Sequence, residues 1–112
     1  MTLYCLKAQY SPEAIAGMVK SEANREVELR KTVESLGGKL HGFYGTLGDP
    51  DGFHVMMIAE MPGHSQYLAA VVNAMLSGAV TNIRTTVLYS AEEAVEAAKI
   101  VNAGVDYKAP NA

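Results

Sequence analysis

The stretch of sequence that decides the fold is residues 39–61, KLHGFYGTLGDPDGFHVMMIAEM. Two runs in it, residues 39–47 and 53–61, are rich in aromatic and aliphatic residues and have the length of a β-strand. Between them lies Gly48-Asp49-Pro50-Asp51-Gly52, a series of residues that favour turns. We therefore predict an antiparallel hairpin, which ends at Pro62-Gly63.

The sequence before the hairpin predicts one strand followed by two helices. Residues 1–10 have strand composition and end at Ser11-Pro12-Glu13, which supplies an N-cap, an N1 proline and an acidic first turn. Residues 20–26 are polar throughout, so we expect them to break the helix in two. Helical spacing resumes at Val27 and stops at Gly37-Gly38, where a residue without Cβ can adopt the left-handed conformation.

The sequence after the hairpin predicts a helix, a strand and a final helix. The first helix is capped by His64 or Ser65, and its apolar residues have the spacing of a packed face. These residues are Leu68, Val71, Val72, Met75 and Leu76. Residues 80–89 predict the last strand, and Ser90 with Glu93 forms a capping box that opens the final helix. We expect residues 1–103 to form a single domain and residues 104–112 to form a tail.

The predicted order is strand, helix, strand, strand, helix, strand, which is the split βαβ or ferredoxin-like plan. In this α+β fold, a four-stranded antiparallel sheet carries its helices on one face, and this chain adds a C-terminal helix. The strand at 53–61 has large apolar residues on both faces, such as Met57 on one and Met56 and Ile58 on the other. Because the helices of one chain cover only one face, we predict a homodimer that packs sheet to sheet.

Composition limits the partners and the compartment. The 112 residues are 49% hydrophobic, which is enough for one folded domain. The formal net charge of −3 argues against a nucleic-acid partner, and no apolar run is long enough to cross a membrane. The single cysteine, Cys5, excludes an internal disulfide framework and fits a reducing compartment. We predict a cytoplasmic protein.

The histidines His41, His54 and His64 do not have the spacing of a metal site, and nucleotide-binding motifs are absent from the sequence. We therefore expect no metal and no cofactor. Whether His41 and His54 share a sheet face depends on the hairpin register. If the numbers of paired residues add up to an odd value, His41 lies opposite Glu60 and shares a face with His54; we call this the odd register. If they add up to an even value, the even register, His41 pairs with Ala59 and the two histidines point to opposite faces.

Glu60 makes His41 and His54 candidates for catalysis, because a carboxylate beside an imidazole can form an acid/base pair. A histidine at a rim or an interface is the simpler interpretation. Glu60 itself needs a cationic partner, and Arg84 and Arg25 are the nearest ones that the sequence suggests.

Tyr44 and Arg84 complete the candidate ligand-binding set, together with His41 and His54. Tyr44 lies in mid-strand among apolar residues, where a buried hydroxyl would need a hydrogen-bond partner. We expect these four residues and Glu60 to border a space between sheet and helices that holds a small, mainly apolar molecule.

Several short segments resemble the GYD domain family of the dimeric α+β barrel superfamily. They are Leu36-Gly37-Gly38-Lys39-Leu40, Gly42-Phe43-Tyr44, Thr46-Leu47-Gly48, Glu60-Met61-Pro62, the region of Gly78 and Asn82-Ile83-Arg84-Thr85-Thr86, together with the Ser11-Pro12-Glu13 start and Glu92-Glu93. The Gly-Tyr-Asp motif that names the family is altered in this sequence. It falls on Asp49-Pro50-Asp51 when counted forward from Gly48, and on Gly52-Phe53-His54 when counted back from Glu60.

The resemblance implies a ferredoxin-like fold that dimerises through its sheets. Relatives in the superfamily include cofactor-independent monooxygenases, isomerases and small-molecule binders. Three hypotheses follow: a protein that binds a small, mainly apolar molecule; a cofactor-independent enzyme of the monooxygenase or isomerase type that uses a His or Tyr as acid/base; and a structural subunit of a larger homo-oligomer. An apolar cavity favours the first, a His beside a carboxylate or Tyr in a pocket the second, and a second large interface the third.

Overall fold

The structure, a computed structural model, describes residues 1–111. Its elements are β1 (Thr2–Tyr10), α1 (Pro12–Ser21), α2 (Arg25–Ser35), β2 (Lys39–Gly45), β3 (Val55–Met61), α3 (His64–Leu76), β4 (Val80–Leu88) and α4 (Ala91–Ala103). The four strands form one antiparallel sheet in the order β2-β3-β1-β4. This strand order is ferredoxin-like, so the predicted fold class is confirmed.

Local capping explains where most helices begin. Ser11 Oγ accepts a hydrogen bond from Ala14 N at the start of α1, and Ser90 forms the predicted capping box with Glu93 at the start of α4. The predicted break between α1 and α2 is also confirmed. The predicted cap of α3 is wrong, because α3 begins after Gly63 and the His64 ring instead contacts the hydroxyl of Tyr4.

The core lies between one face of the sheet and helices α2 and α3. Its largest fully buried side chains are those of Tyr4, Met61 and Val33. The ring of Tyr4 stacks on that of Tyr67 in α3, with 4.0 Å between their centroids. This stacked pair fixes the orientation of α3 on the sheet.

The packed face predicted for α3 is wrong for the single chain. The side chains of α3 that contact the core are Tyr67, Ala70 and Val71. Four of the five residues predicted to pack are exposed, namely Leu68, Val72, Met75 and Leu76. Because Tyr67 is stacked on Tyr4, α3 turns this neighbouring apolar stripe towards solvent.

Helix α4 extends away from the rest of the chain. None of its residues is buried, and Val95, Ile100 and Val101 are exposed. The radius of gyration is 17.7 Å, and the longest dimension is 59 Å. A compact chain of this length would have a radius of gyration of about 13 Å. Helix α4 therefore leaves its apolar side chains exposed in the single chain, and the domain boundary at residue 103 stays a prediction.

Candidate functional site

A cavity of about 530 Å³ lies between the sheet and the helices. Its floor is the helix-facing side of the sheet, including Leu6, Ala8 and Met57. Its walls come from three helices and include Ala14, Gly17 and Met18 of α1, Leu29 and Val33 of α2, and Tyr67, Ala70 and Ala74 of α3. Many wall residues are small, and α1 buries none of its residues, so the helices stand apart above the sheet. The volume is in the range of about 300–1,000 Å³ that is typical of ligand sites.

Most side chains that line this cavity are apolar, and its polar lining residues are Tyr10, Ser21, Arg25, Thr32, Tyr67, Asn73 and Ser77. The Tyr67 hydroxyl and Thr85 Oγ1 form a hydrogen bond of 2.5 Å at one wall. Burial raises the pKa of the Tyr67 phenol, although the hydrogen bond with Thr85 acts in the opposite direction. The phenol is therefore neutral at physiological pH, and its hydroxyl is a group that can form a hydrogen bond with a ligand. Arg25 is the one charged residue on the cavity lining within residues 1–111.

Tyr4, whose ring stacks on that of Tyr67, also contacts His64. His64 Nδ1 and the Tyr4 hydroxyl form a hydrogen bond, and Tyr4 is only 1% exposed. Tyr4 and His64 do not line the cavity. No short motif predicts this cluster, because its members are far apart in the sequence. The one available signal is that Tyr4 alternates with Leu6 and Ala8, which share its face of β1.

The five polar residues predicted to border the cavity do not line it. Tyr44 pairs with Met56, and Arg84 pairs with Lys7. This register places Tyr44 and Arg84 on the sheet face that points away from the helices, which we call the open face. Glu60, which alternates with the buried Ala59 and Met61, also lies there.

A β-bulge decides where His41 points. Gly42 pairs with Ile58, but Leu40 pairs with Ala59, so His41 is an extra residue without a partner in the ladder. The hairpin therefore has the even register from Gly42 towards the loop, and an odd register at Leu40, on the other side of the bulge. His41 Nε2 lies 3.0 Å from Glu60 Oε1, and the two side chains are 38% and 33% exposed.

His54 lies in the loop just before β3, apart from the pair formed by His41 and Glu60. Its Nδ1 accepts a hydrogen bond from the backbone N–H of Tyr10, and its ring stacks near the Tyr10 ring with 6.3 Å between centroids. His54 therefore fixes the loop to the end of β1. Of the catalytic candidates, the structure brings His41 and Glu60 together and leaves His54 elsewhere.

The hairpin loop folds across one end of the open face. Asp49 Oδ1 lies 3.1 Å from Lys7 Nζ, and Asp49 Oδ2 accepts the backbone N–H groups of Asp51 and Phe53. The hydrogen bond from Lys7 lowers the pKa of the Asp49 carboxyl. Asp51 Oδ2 in turn lies 2.7 Å from a guanidinium nitrogen of Arg84. These two ion pairs hold the loop on β1 and β4.

The predicted pairing of Glu60 with Arg84 or Arg25 is wrong. Glu60 contacts His41, whereas Arg84 contacts Asp51 and lies over the Phe53 ring, 5.0 Å from its centroid. The sequence suggested Arg84 because both residues lie on strands of one sheet. In the folded chain, Arg84 instead contacts the loop residues Asp51 and Phe53.

Residues 4–98 match the family model of the GYD domain. The chain belongs to the GYD domain family. No curated protein matches this GYD domain protein. A solved structure, that of At3g17210 from Arabidopsis thaliana obtained by ensemble refinement, is similar to it at 13% sequence identity and a TM-score of 0.42. That match covers 80% of this chain and 95% of the other.

The altered family motif of this GYD domain lies in the loop on the open face. Asp49 and Asp51 bind Lys7 and Arg84 there, and His54 binds the backbone of β1. None of the motif positions reaches the cavity. The motif region therefore shapes the open face of the sheet.

Two further observations limit the chemistry of the described part of the chain. No three His, Cys, Asp or Glu side chains within residues 1–111 are placed to hold a metal ion. None of the helices in the same range combines the length and the apolar character that crossing a bilayer requires.

Proposed function

We propose that this GYD domain protein binds a small, mainly apolar molecule in the cavity between its sheet and its helices. The observation that carries the proposal is the cavity, about 530 Å³ in volume and lined mostly by apolar side chains. Protein interiors are normally close-packed, so a space of this size bordered by Gly17, Ala70 and Ala74 favours a ligand. The neutral phenol of Tyr67 supplies a hydrogen-bonding group at the wall.

An enzymatic role has less support than binding. His41 and Glu60 lie within hydrogen-bond distance of each other, as an acid/base pair requires, but they do so on the open face, and the cavity lies on the other side of the sheet. His64 contacts the buried hydroxyl of Tyr4, so neither group is placed to touch a ligand in the cavity. Tyr67 does line the cavity, but its raised pKa makes it a poor proton acceptor at neutral pH.

A variant that fills the cavity tests the binding proposal. Gly17 of α1 lines the cavity, and a Cβ added there meets no atom within 4 Å. A Gly17→Phe side chain can therefore occupy the space without displacing backbone. Val19→Phe is the matched control, because Val19 lies on the same helix, is 72% exposed and does not line the cavity.

The probe is Nile red, a neutral apolar dye, and the measurement is its fluorescence on titration with protein. We expect the wild type and Val19→Phe to bind the dye equally, and Gly17→Phe to bind it at least about tenfold more weakly because its phenyl ring competes for the volume. Thermal melts monitored by circular dichroism check that both variants are folded. Equal dye binding by all three proteins, or none by the wild type, would reject the proposal.

We also propose that two copies of the chain pack through the open face. In support, Leu3, Cys5, Met56 and Ile58 are only half-buried on this face, and Tyr44 is 56% exposed. The contacts of the hairpin loop with β1 lie at Lys7 and Gln9, towards the end of that strand. A second sheet packed on the apolar groups would remove this surface from water.

The mass in solution tests the dimer. We expect light scattering at micromolar concentration to give twice the chain mass for the wild type and for Val19→Lys, but the mass of a single chain for Ile58→Lys. A lysine at position 58 would place an unpaired charge in the middle of the interface, whereas the position 19 side chain is exposed on α1. A wild-type protein that has the mass of one chain would contradict the dimer.

The exposed apolar stripe on α3 favours a second candidate function, that of a subunit in a larger assembly. Leu68, Val72, Met75 and Leu76 lie on one side of this helix and are exposed. A wild-type mass above two chains, reduced to two by Leu76→Glu, would support the assembly. A mass of two chains in both proteins would reject it.

A further inference from the structure

We infer that the ligand of the cavity is an apolar carboxylate and that Arg25 binds its carboxylate group at the cavity edge. This inference rests on the proposed binding function and names the class of molecule that the same site selects. It depends on the charge that the chain places beside an otherwise uncharged lining.

Arg25 is the first residue of α2 and lies where the chain has just left α1. Its side chain is exposed and lines the cavity, and none of the other lining residues within residues 1–111 is charged. The guanidinium of Arg25 takes part in none of the ion pairs formed in this part of the chain. Its positive charge is therefore available to a bound molecule.

The nearby acidic residues do not neutralise Arg25. Glu26 lies 2.9 Å from Arg30, and Glu28 lies 3.5 Å from Lys31, so both carboxylates already have cationic partners. Glu22, at the end of α1, does not line the cavity and forms no ion pair within residues 1–111. Arg25 is therefore the charged group that the cavity lining presents within residues 1–111.

The apolar lining and the positively charged Arg25 at the edge together favour one class of ligand. Side chains such as Leu6, Leu29 and Met57 surround an apolar body, and a group of opposite charge to Arg25 is favoured at the edge. A planar guanidinium binds a carboxylate through two parallel hydrogen bonds. A neutral apolar molecule gains nothing from Arg25, and a cationic one is repelled. One guanidinium matches the single charge of a carboxylate.

Two probes of the same chain length separate the charge from the apolar body: decanoate and 1-decanol. Their dissociation constants are measured by isothermal titration calorimetry for the wild type, Arg25→Gln and Lys31→Gln. Lys31→Gln is the matched control, because it removes one positive charge from the same helix at a residue that does not line the cavity.

We expect the wild type to bind decanoate more tightly than 1-decanol. Arg25→Gln should weaken decanoate binding roughly tenfold, the loss expected for a hydrogen bond to a charged group, and leave 1-decanol binding unchanged. Lys31→Gln should leave both affinities unchanged. Added salt should weaken decanoate binding in the wild type but not in Arg25→Gln.

The outcomes distinguish this inference from the binding function on which it rests. If 1-decanol and decanoate bind equally, or if Arg25→Gln and Lys31→Gln behave alike, the role of Arg25 is rejected and the cavity remains a binding site. If neither probe binds the wild-type protein, the inference and the binding function fail together.

Discussion

The two faces of the sheet are each covered incompletely, but by different means. On the helix side, Tyr4 and Tyr67 form a closed core at one end, while small residues leave a cavity at the other. On the open face, no helix of residues 1–111 packs closely, and the hairpin loop covers one end through ion pairs from Asp49 and Asp51. The remaining part of the open face presents half-buried apolar groups.

The difference shows that the two faces are suited to different partners. A concave, mostly apolar space of limited volume fits a small molecule. A broad face with apolar residues in its middle and charged residues at its margin fits another protein surface. The same strands supply both, because successive residues of a strand point to opposite faces.

The largest expected effect comes from two adjacent residues of one type, Met56 and Met57. Met57 lies on the helix side and is buried, whereas Met56 lies on the open face and is half-buried. We expect Met57→Ala to lower the free energy of unfolding by about 2–3 kcal/mol, the lower part of the range for such truncations, because the cavity already borders this side chain. Met56→Ala should cost less than about 1 kcal/mol in the isolated chain.

Urea denaturation at two protein concentrations measures both variants. If the open face is a dimer interface, the effect of Met56→Ala grows with protein concentration, since association stabilises the folded state by mass action. The effect of Met57→Ala should remain the same. Equal losses for both variants at low concentration would show that the two faces are equally well packed and would remove the contrast.

The second-largest expected effect concerns the ion pairs that hold the hairpin loop on the open face, and it depends on pH. The Lys7 ammonium lowers the pKa of Asp49 in the folded chain, so the contribution of Asp49 to stability is present above the unfolded-state pKa of about 3.9 and is lost as the pH falls through the lower folded-state pKa. We expect Asp49→Asn to melt at a lower temperature than the wild type at neutral pH.

The difference in melting temperature between wild type and Asp49→Asn should shrink as the pH is lowered into the acid range. Asp106→Asn provides the control, because Asp106 is exposed after α4 and forms no ion pair within residues 1–111. Its melting curve should follow the wild type at every pH. A constant difference for Asp49→Asn would mean that the ion pair with Lys7 does not hold the loop.

The smallest expected effect is a gain in stability on the helix side. Gly17→Ala adds a methyl group at a helical position where space is available, and should raise the free energy of unfolding by about 0.5–1 kcal/mol. Gly38→Ala is the contrasting variant, since its Cβ would lie 2.5 Å from the carbonyl oxygen of Glu60. It should destabilise the protein. A loss of stability in Gly17→Ala would show that α1 packs closely at this position.

Much of the fold was predictable because its signals are local. Ser11 and Ser90 cap helices through groups only three residues away, and the turn residues at 48–52 separate two strands whose composition is plain in the sequence. The candidate site was less predictable. Four of the five residues chosen for their polarity lie on the open face and His54 lies in the hairpin loop, whereas the cavity is lined mostly by small and apolar residues that look like ordinary core.

The sequence by itself determined the order of the elements, most of their ends and the apolar character of both sheet faces, because capping, turn formation and alternation act over a few residues. Only the tertiary structure decided which stripe of α3 faces inward, that a bulge turns His41 towards Glu60, and that Arg84 meets the hairpin loop. Each of these depends on contacts between distant parts of the chain, such as the stacking of Tyr4 on Tyr67. The spacing of residues within one element does not encode such contacts.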